Sequence, residues 1–165
     1  VAVTTGLVQS LSREELAGMG TTVVAALVSG EVMTIGSAGD SRCYLVRGGE
    51  LRQLTRDDSW VSAALGEGIL NSDDVEHHPL RNVITKAVGA RDTIDLDVLE
   101  HHLQPGDVVM LCSDGLHGML NDQELGRILL PAPGSLEEAT ARLVEAANEA
   151  GGRDNVTVVL VRRPE

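Results

Sequence analysis

The sequence predicts an α+β domain built on antiparallel sheets, and three observations carry that prediction. Short β-rich runs follow one another closely in the first half of the chain, and parallel neighbours would need long crossovers between them. Amphipathic helical patterns gather towards the end, placed to pack on sheets rather than to alternate with strands. The apolar run Val108-Val109-Met110-Leu111-Cys112 lacks alternation, as a central strand covered on both faces should. The 165 residues suit one domain, and no repeat or linker divides them, so residues 1–165 read as a single domain.

The elements follow in order. Ser12-Arg13-Glu14-Glu15 is a capping box, in which hydroxyl and carboxylate each satisfy a free backbone N–H, and its helix should stop at Gly18. Strands are expected over residues 21–28, 31–38, 42–46 and 50–54, separated by Ser29-Gly30, Gly39-Asp40 and Gly48-Gly49. The Gly-Gly pair reads as a tight hairpin, because primed turns need positive φ. Residues 59–79 weaken into short helical turns around the polar Asn71-Ser72-Asp73-Asp74. Strand character returns at 82–88 and 94–99, and Pro105-Gly106-Asp107 turns into the central strand 108–112. Asn121-Asp122-Gln123-Glu124 and Ser135-Leu136-Glu137-Glu138 start two helices. In the second, Leu136, Ala139, Leu143, Val144, Ala147 and Ala150 form one apolar stripe. Gly151-Gly152 ends that helix, and residues 155–161 make a closing β-branched strand.

Composition removes several function classes. Thirteen basic against 25 acidic residues give a net charge of −12, which argues against duplex DNA or an anionic membrane surface as partner. There is no Phe, one Tyr and one Trp, so stacking platforms for single-stranded nucleic acid are lacking. No window approaches the roughly 20 apolar residues of a membrane helix, so no membrane insertion is expected. Cys43 and Cys112 lie far apart in apolar runs and read as buried reduced thiols, which points to the cytoplasm. The chain opens Val1-Ala2-Val3 and reads as a piece of something longer.

Three acidic spots sit at expected strand ends: Asp114 after the central strand, Asp154 before the closing strand, and Asp57 with Asp58 after residues 50–54. Each alone reads as an ordinary turn residue. Together, carboxylates held at the tips of rigid strands can converge on a hard cation such as Mg²⁺ or Mn²⁺. The Asp40-Ser41-Arg42 turn could bind phosphate, while His77-His78 and His101-His102 read as surface pairs and Asp73-Asp74 as a solvated stretch. His117, three residues after Asp114, is close enough to be weighed as a proton donor.

Several motifs also carry a resemblance. Gly18-Met19-Gly20-Thr21-Thr22, Ala38-Gly39-Asp40-Ser41-Arg42, Leu54-Thr55-Arg56-Asp57 and His78-Pro79-Leu80-Arg81-Asn82-Val83-Ile84-Thr85 come in order. Leu111-Cys112-Ser113-Asp114-Gly115-Leu116 and Gly152-Arg153-Asp154-Asn155-Val156-Thr157 follow them. The set resembles the metal-dependent PP2C-type (PPM) Ser/Thr protein phosphatases, especially their compact bacterial members. That resemblance implies a four-layer α/β/β/α sandwich with two Mn²⁺ or Mg²⁺ ions between the sheets, and a third, weaker ion. It implies hydrolysis of phosphoserine and phosphothreonine in proteins by metal-activated water, opposing a Ser/Thr kinase. Asp114 and Asp154 match metal-binding aspartates of the family, and Asp57 matches the aspartate of the third metal. Asp58 stands where a His commonly follows, and the match implies that Asp40 and Arg42 form an internal hydrogen-bonded corner rather than a phosphate site. Residues 59–80 correspond to the flap beside the active site.

One departure accompanies the match. Family members open with a strand carrying a phosphate-gripping Arg and a second strand ending in an Asp-Gly whose aspartate bridges the two metals. Neither has a counterpart in residues 1–18, so the sandwich is expected to be incomplete at its N-terminus. The exposed edge would then call for a dimer or a partner chain. The alternative function is a catalytically inactive PP2C-like binding module that lacks the bridging metal aspartate.

Overall fold

An apolar seam joins two antiparallel sheets face to face, and helices cover the other face of the larger one. The computed structural model describes residues 2–4, 19–75, 78–90, 93–130 and 134–164. Five strands open the chain: β1 (Ala2–Thr4), β2 (Val23–Ser29), β3 (Val32–Ala38), β4 (Arg42–Arg47) and β5 (Glu50–Gln53). Helices α1 (Trp60–Gly66) and α2 (Ser72–Val75) follow, then β6 (Thr93–Asp95), β7 (Asp97–His102) and β8 (Val108–Cys112). The remainder is α3 (Asp114–His117), α4 (Asp122–Leu129), α5 (Leu136–Glu149) and β9 (Val158–Arg162). The larger sheet runs β5-β4-β8-β9, the smaller β2-β3-β7, and β1 pairs with β6 in a separate ribbon. This is the α+β class that the sequence predicts.

Side-chain alternation on β8 explains how both layers form. Val108, Met110 and Cys112 face the helices and join Tyr44, Leu116, Leu125 and Leu143 in one core. Val109 and Leu111 face the opposite way and pack with Met33, Ile35, Cys43 and Leu45 between the sheets. Cys43 lies opposite Leu111, and Cys112 opposite Arg42, so the two thiols occupy opposite faces. Both are free and buried, and burial pushes each thiol pKa up to about 12, leaving them protonated and inert at neutral pH. Leu143 is fully buried in the middle of α5. Truncating it to Ala leaves a cavity with little room to collapse, and should lower unfolding stability in urea by about 2–5 kcal/mol.

Local signals explain the element ends. Gly48 and Gly49 both have positive φ, +58° and +83°, as the two-residue β4–β5 hairpin requires. Asn121 caps α4 with the full reciprocal box: its side chain accepts from Glu124 N at 3.0 Å, and the Glu124 carboxylate accepts from Asn121 N at 2.8 Å. At α5, the Ser135 hydroxyl accepts from Glu138 N at 3.3 Å.

Two predicted strands differ. Residues 82–88 form only isolated bridges, Ile84 with Ser59 and Val88 with Thr21. Their backbone groups are shared out, since Val83 O accepts from Trp60, Thr85 N donates to Asp58 O, and Val88 pairs with Thr21, so no single neighbour sustains a ladder. Residues 94–99 split at Leu96, the N-terminal part pairing with β1 and the C-terminal part with β3. The helix expected from Ser12 to Gly18 lies outside the described residues. His101 and His102 are not a surface pair: His102 is exposed, but His101 lies opposite the buried Met33, with its Nε2 shut away from solvent. His78 stacks on Trp60 with ring centroids 4.9 Å apart, and His77 is outside the described residues.

Candidate functional site

The site forms where β4, β5, β8 and β9 share one end of the larger sheet. The chain leaves β8 through Ser113 in extended backbone and turns at once into the single turn of α3, which Asp114 opens. The segment entering β9 is laced to this point. Ser113 N donates to Thr157 O at 3.1 Å, Thr157 N donates to the Ser113 hydroxyl at 3.0 Å, and that hydroxyl donates to Asn155 O at 3.2 Å. Gly115 completes the junction. A Cβ there would sit 2.2 Å from Asn155 O, so only glycine lets α3 lie this close to the strand entry. Asp114 and Asp154 are thus carried on two segments that cannot shift independently. Both carboxylates are exposed. That of Asp154 accepts from Asn155 N at 2.7 Å.

Asp57 sits differently. Arg42 Nε reaches both of its oxygens at 2.9 and 3.1 Å, Nη2 reaches Oδ2 at 2.6 Å, and Gln53 Nε2 donates to Oδ1 at 3.0 Å. The guanidinium also donates from Nη1 to the Tyr44 hydroxyl at 2.8 Å, which in turn donates a hydrogen bond to Asp122 Oδ1 at 3.1 Å. Arg42 is therefore the hub of an internal hydrogen-bonded corner, and Asp57, not Asp40, supplies its carboxylate. Gln53 and Tyr44 were not expected in it, and nothing in their local pattern announces them.

Asp40 and His117 lie between these two groups. Burial, followed by the negative charge of Asp114, raises the Asp40 carboxyl above the ordinary carboxylate range. Burial lowers the His117 imidazole, with the Arg42 charge acting in the same direction. His117 Nε2 is 2.9 Å from the Asp40 carbonyl, which can only accept, so Nε2 carries the proton and is committed to that bond. The structure thereby brings Asp40, Asp57, Asp114 and His117 into one electrostatic neighbourhood, while Asp154 is linked to it, among the described residues, only through its neighbour Asn155, whose carbonyl accepts from Ser113. Asp73 and Asp74 lie apart on the exposed α2.

The donor chemistry suits a hard divalent cation. Asp114 makes no side-chain hydrogen bond or ion pair among the described residues, and exposed carboxylate oxygens are what such ions take. Among those residues, no three His, Cys, Asp or Glu side chains come together as a complete metal cage. Asp114 and Asp154 are the two exposed carboxylates here that could be offered to such an ion, with the rest of its shell to come from elsewhere.

Comparison with known proteins decides the family. A family model described as stage II sporulation protein E (SpoIIE) matches residues 3–164. The serine/threonine phosphatase stp of Listeria welshimeri serovar 6b is 40% identical over 152 residues, 92% of this chain and 60% of that protein. The chain belongs to the PP2C-type Ser/Thr phosphatase family.

The fold of this PP2C-type chain superposes on the serine/threonine phosphatase of S. agalactiae with a TM-score of 0.91 and 32% identity, covering 98% of this chain and 66% of that one. The catalytic domain of the phosphatase PstP, solved in complex with two manganese ions, matches with a TM-score of 0.85 and 33% identity, over 98% of this chain and 65% of that one. The chain spans 60% of the length of the Listeria relative.

Proposed function

We propose that the protein hydrolyses phosphoserine and phosphothreonine in proteins with divalent metal ions, and that Asp114 and Asp154 are metal ligands of this chain. The observation carrying the reading is the Ser113 lacing: two exposed carboxylates are held on adjoining segments by hydrogen bonds to Asn155 and Thr157. The two-manganese structure of a relative at 33% identity supports the cofactor, with Mg²⁺ as the other candidate. When bound, such ions supply the activated water and offset the charge on phosphate.

The chain's own part is to hold and orient. Asp114 and Asp154 offer oxygens to the ions, Ser113 fixes the distance between their segments, and Gly115 allows the contact. A third ion at Asp57 belongs to the reading as the weakest of the set, because Arg42 and Gln53 already occupy that carboxylate. Residues 59–80, which include α1 and α2, would serve as the flap of this single domain. A phosphoprotein made by a Ser/Thr kinase is the proposed substrate, and the cytoplasm the proposed location. No helix among the described residues is long and apolar enough to cross a membrane. The exposed Leu27 and Val28 of β2 support a dimer or a partner chain at that edge.

Chelation tests the metal requirement. Turnover of a phosphothreonine peptide should fall to background in EDTA and return when Mn²⁺ is added. Undiminished turnover in EDTA would overturn the proposal.

A further inference from the structure

The Gly39–Asp40 turn is gripped from two sides by residues that the metal reading does not use. On one side, Gly39 N donates to Asp58 Oδ2 at 3.0 Å, and Asp58 N donates to Gly39 O at 2.9 Å. Asp58 is itself anchored: its carbonyl accepts from Thr85 N at 2.7 Å, and its carboxylate lies 3.5 Å from Lys86 Nζ, which also pairs with Asp97 at 2.9 Å. The turn has little room to relax, because Gly39 holds φ at +104° and a Cβ there would meet Thr22 Cγ2 at 2.4 Å. On the other side, His117 Nε2 donates to Asp40 O at 2.9 Å.

His117 is the last residue of α3, and Asp114 is the first. A four-residue helix has almost no stability of its own, since a single turn fixes several dihedrals for about one hydrogen bond. Here the bond made by Asp114 runs from Gly118 N to Asp114 O at 2.7 Å, flanked by Leu116 N to Ser113 O at 3.1 Å and Leu120 N to Leu116 O at 2.9 Å. The Ser113 lacing and the buried Leu116 hold the near end and the middle of this turn, and an anchor at its far end is what remains to fix its tilt, and with it the direction of the first residue.

We propose that His117 is a positioning residue for the metal site: its bond to the Asp40 carbonyl locks α3 against a turn that Asp58 braces from behind, and this aims the Asp114 carboxylate. The inference rests on reading Asp114 as a metal ligand. It gives His117 a role other than proton donor, and gives the departure at Asp58 a purpose, since this carboxylate accepts the Gly39 N–H.

The test measures Mn²⁺ binding by calorimetry together with hydrogen exchange at the Gly118 amide. His117→Ala should weaken Mn²⁺ binding by roughly 10-fold, the lower end of what loss of a ligand's supporting partner costs. It should also speed exchange at Gly118. His117→Gln, whose amide can donate to the same carbonyl, should restore most of both. Asp58→Ala should shift Mn²⁺ affinity in the same direction, and the double variant should lose less than the product of the two, because both act through one turn. Parental affinity and exchange in His117→Ala would overturn the proposal, as would a Gln variant no better than Ala, or fully independent effects of the two positions. Should the parent protein take up no Mn²⁺, the metal reading fails. Gly118 exchange then decides the brace alone: faster in His117→Ala and parental in His117→Gln supports it, and unchanged in both overturns it.

Discussion

Asp114→Asn should lower Mn²⁺-dependent turnover of a phosphopeptide by more than about 100-fold, beyond what loss of a residue supporting a ligand costs. The substitution keeps the shape of the side chain and removes the negative charge that a hard cation requires. Stability should hardly change. Asp114 is exposed and its carboxylate holds no hydrogen bond among the described residues, so only its favourable place at the first turn of α3 is lost. Such a placement contributes about 0.3–1 kcal/mol. The diagnostic result is a large fall in kcat beside a nearly unchanged thermal melt. An Asn variant turning over substrate at the parental rate would remove Asp114 from the site.

Gly115→Ala should damage both stability and activity. The added methyl would stand 2.2 Å from Asn155 O, 2.8 Å from Asn155 C and 3.3 Å from Val156 N, all of them backbone atoms that cannot rotate aside. Relief requires α3 and the entry to β9 to part, which strains the Ser113 bonds to Asn155 and Thr157. Overpacking of this kind costs about 1–3 kcal/mol. A gain of up to about 1 kcal/mol in helix propensity offsets it only in part. Urea unfolding should shift to lower midpoint, and turnover should fall because the two carboxylates no longer keep their spacing. Parental behaviour in both measurements would mean that the two segments do not touch. The contrast with Asp114→Asn is informative, because one change removes a ligand and the other moves the frame that holds it.

Much of the fold was legible because its signals are local. The unalternating run of β8 announces a strand buried on both faces, and Asn121 with Glu124 announces the start of α4. Gly48-Gly49 announces its hairpin for the same reason. What failed depends on partners distant in sequence. Residues 82–88 carry β-branched side chains, yet Trp60, Asp58 and Thr21 divide their hydrogen bonds, and no ladder forms. The switch at Leu96 between two pairing partners cannot be read from Thr93-Ile94-Asp95, which continues as one apolar-polar alternation.

The site divides along the same line. Asp114 stands out because it precedes a glycine at the end of an apolar strand, Asp154 because it follows a Gly-Gly helix end just before the closing strand, and the neighbouring motifs come in the order of a known family. The grip of Arg42 on Asp57 joins positions 15 residues apart, and the reach of His117 to Asp40 spans 77. Local pattern does not encode either. Lys86, the sole lysine of the chain, is the one hidden partner with an unusual signal, but its closeness to both Asp58 and Asp97 is a product of the fold.

The edge strand β2 has a consequence for the chain as a colloid. Val23–Ser29 is seven residues without a charge or a proline, Leu27 is 71% exposed, and no ladder partner on its outer side is found among the described residues. Nothing on the strand itself discourages cross-β association with a neighbouring molecule. Where no partner covers that edge, the force opposing such contact is the long-range repulsion between chains of net charge −12. That repulsion reaches about 30 Å at 0.01 M salt and only about 3 Å at 1 M, so ionic strength sets how closely two such edges can approach.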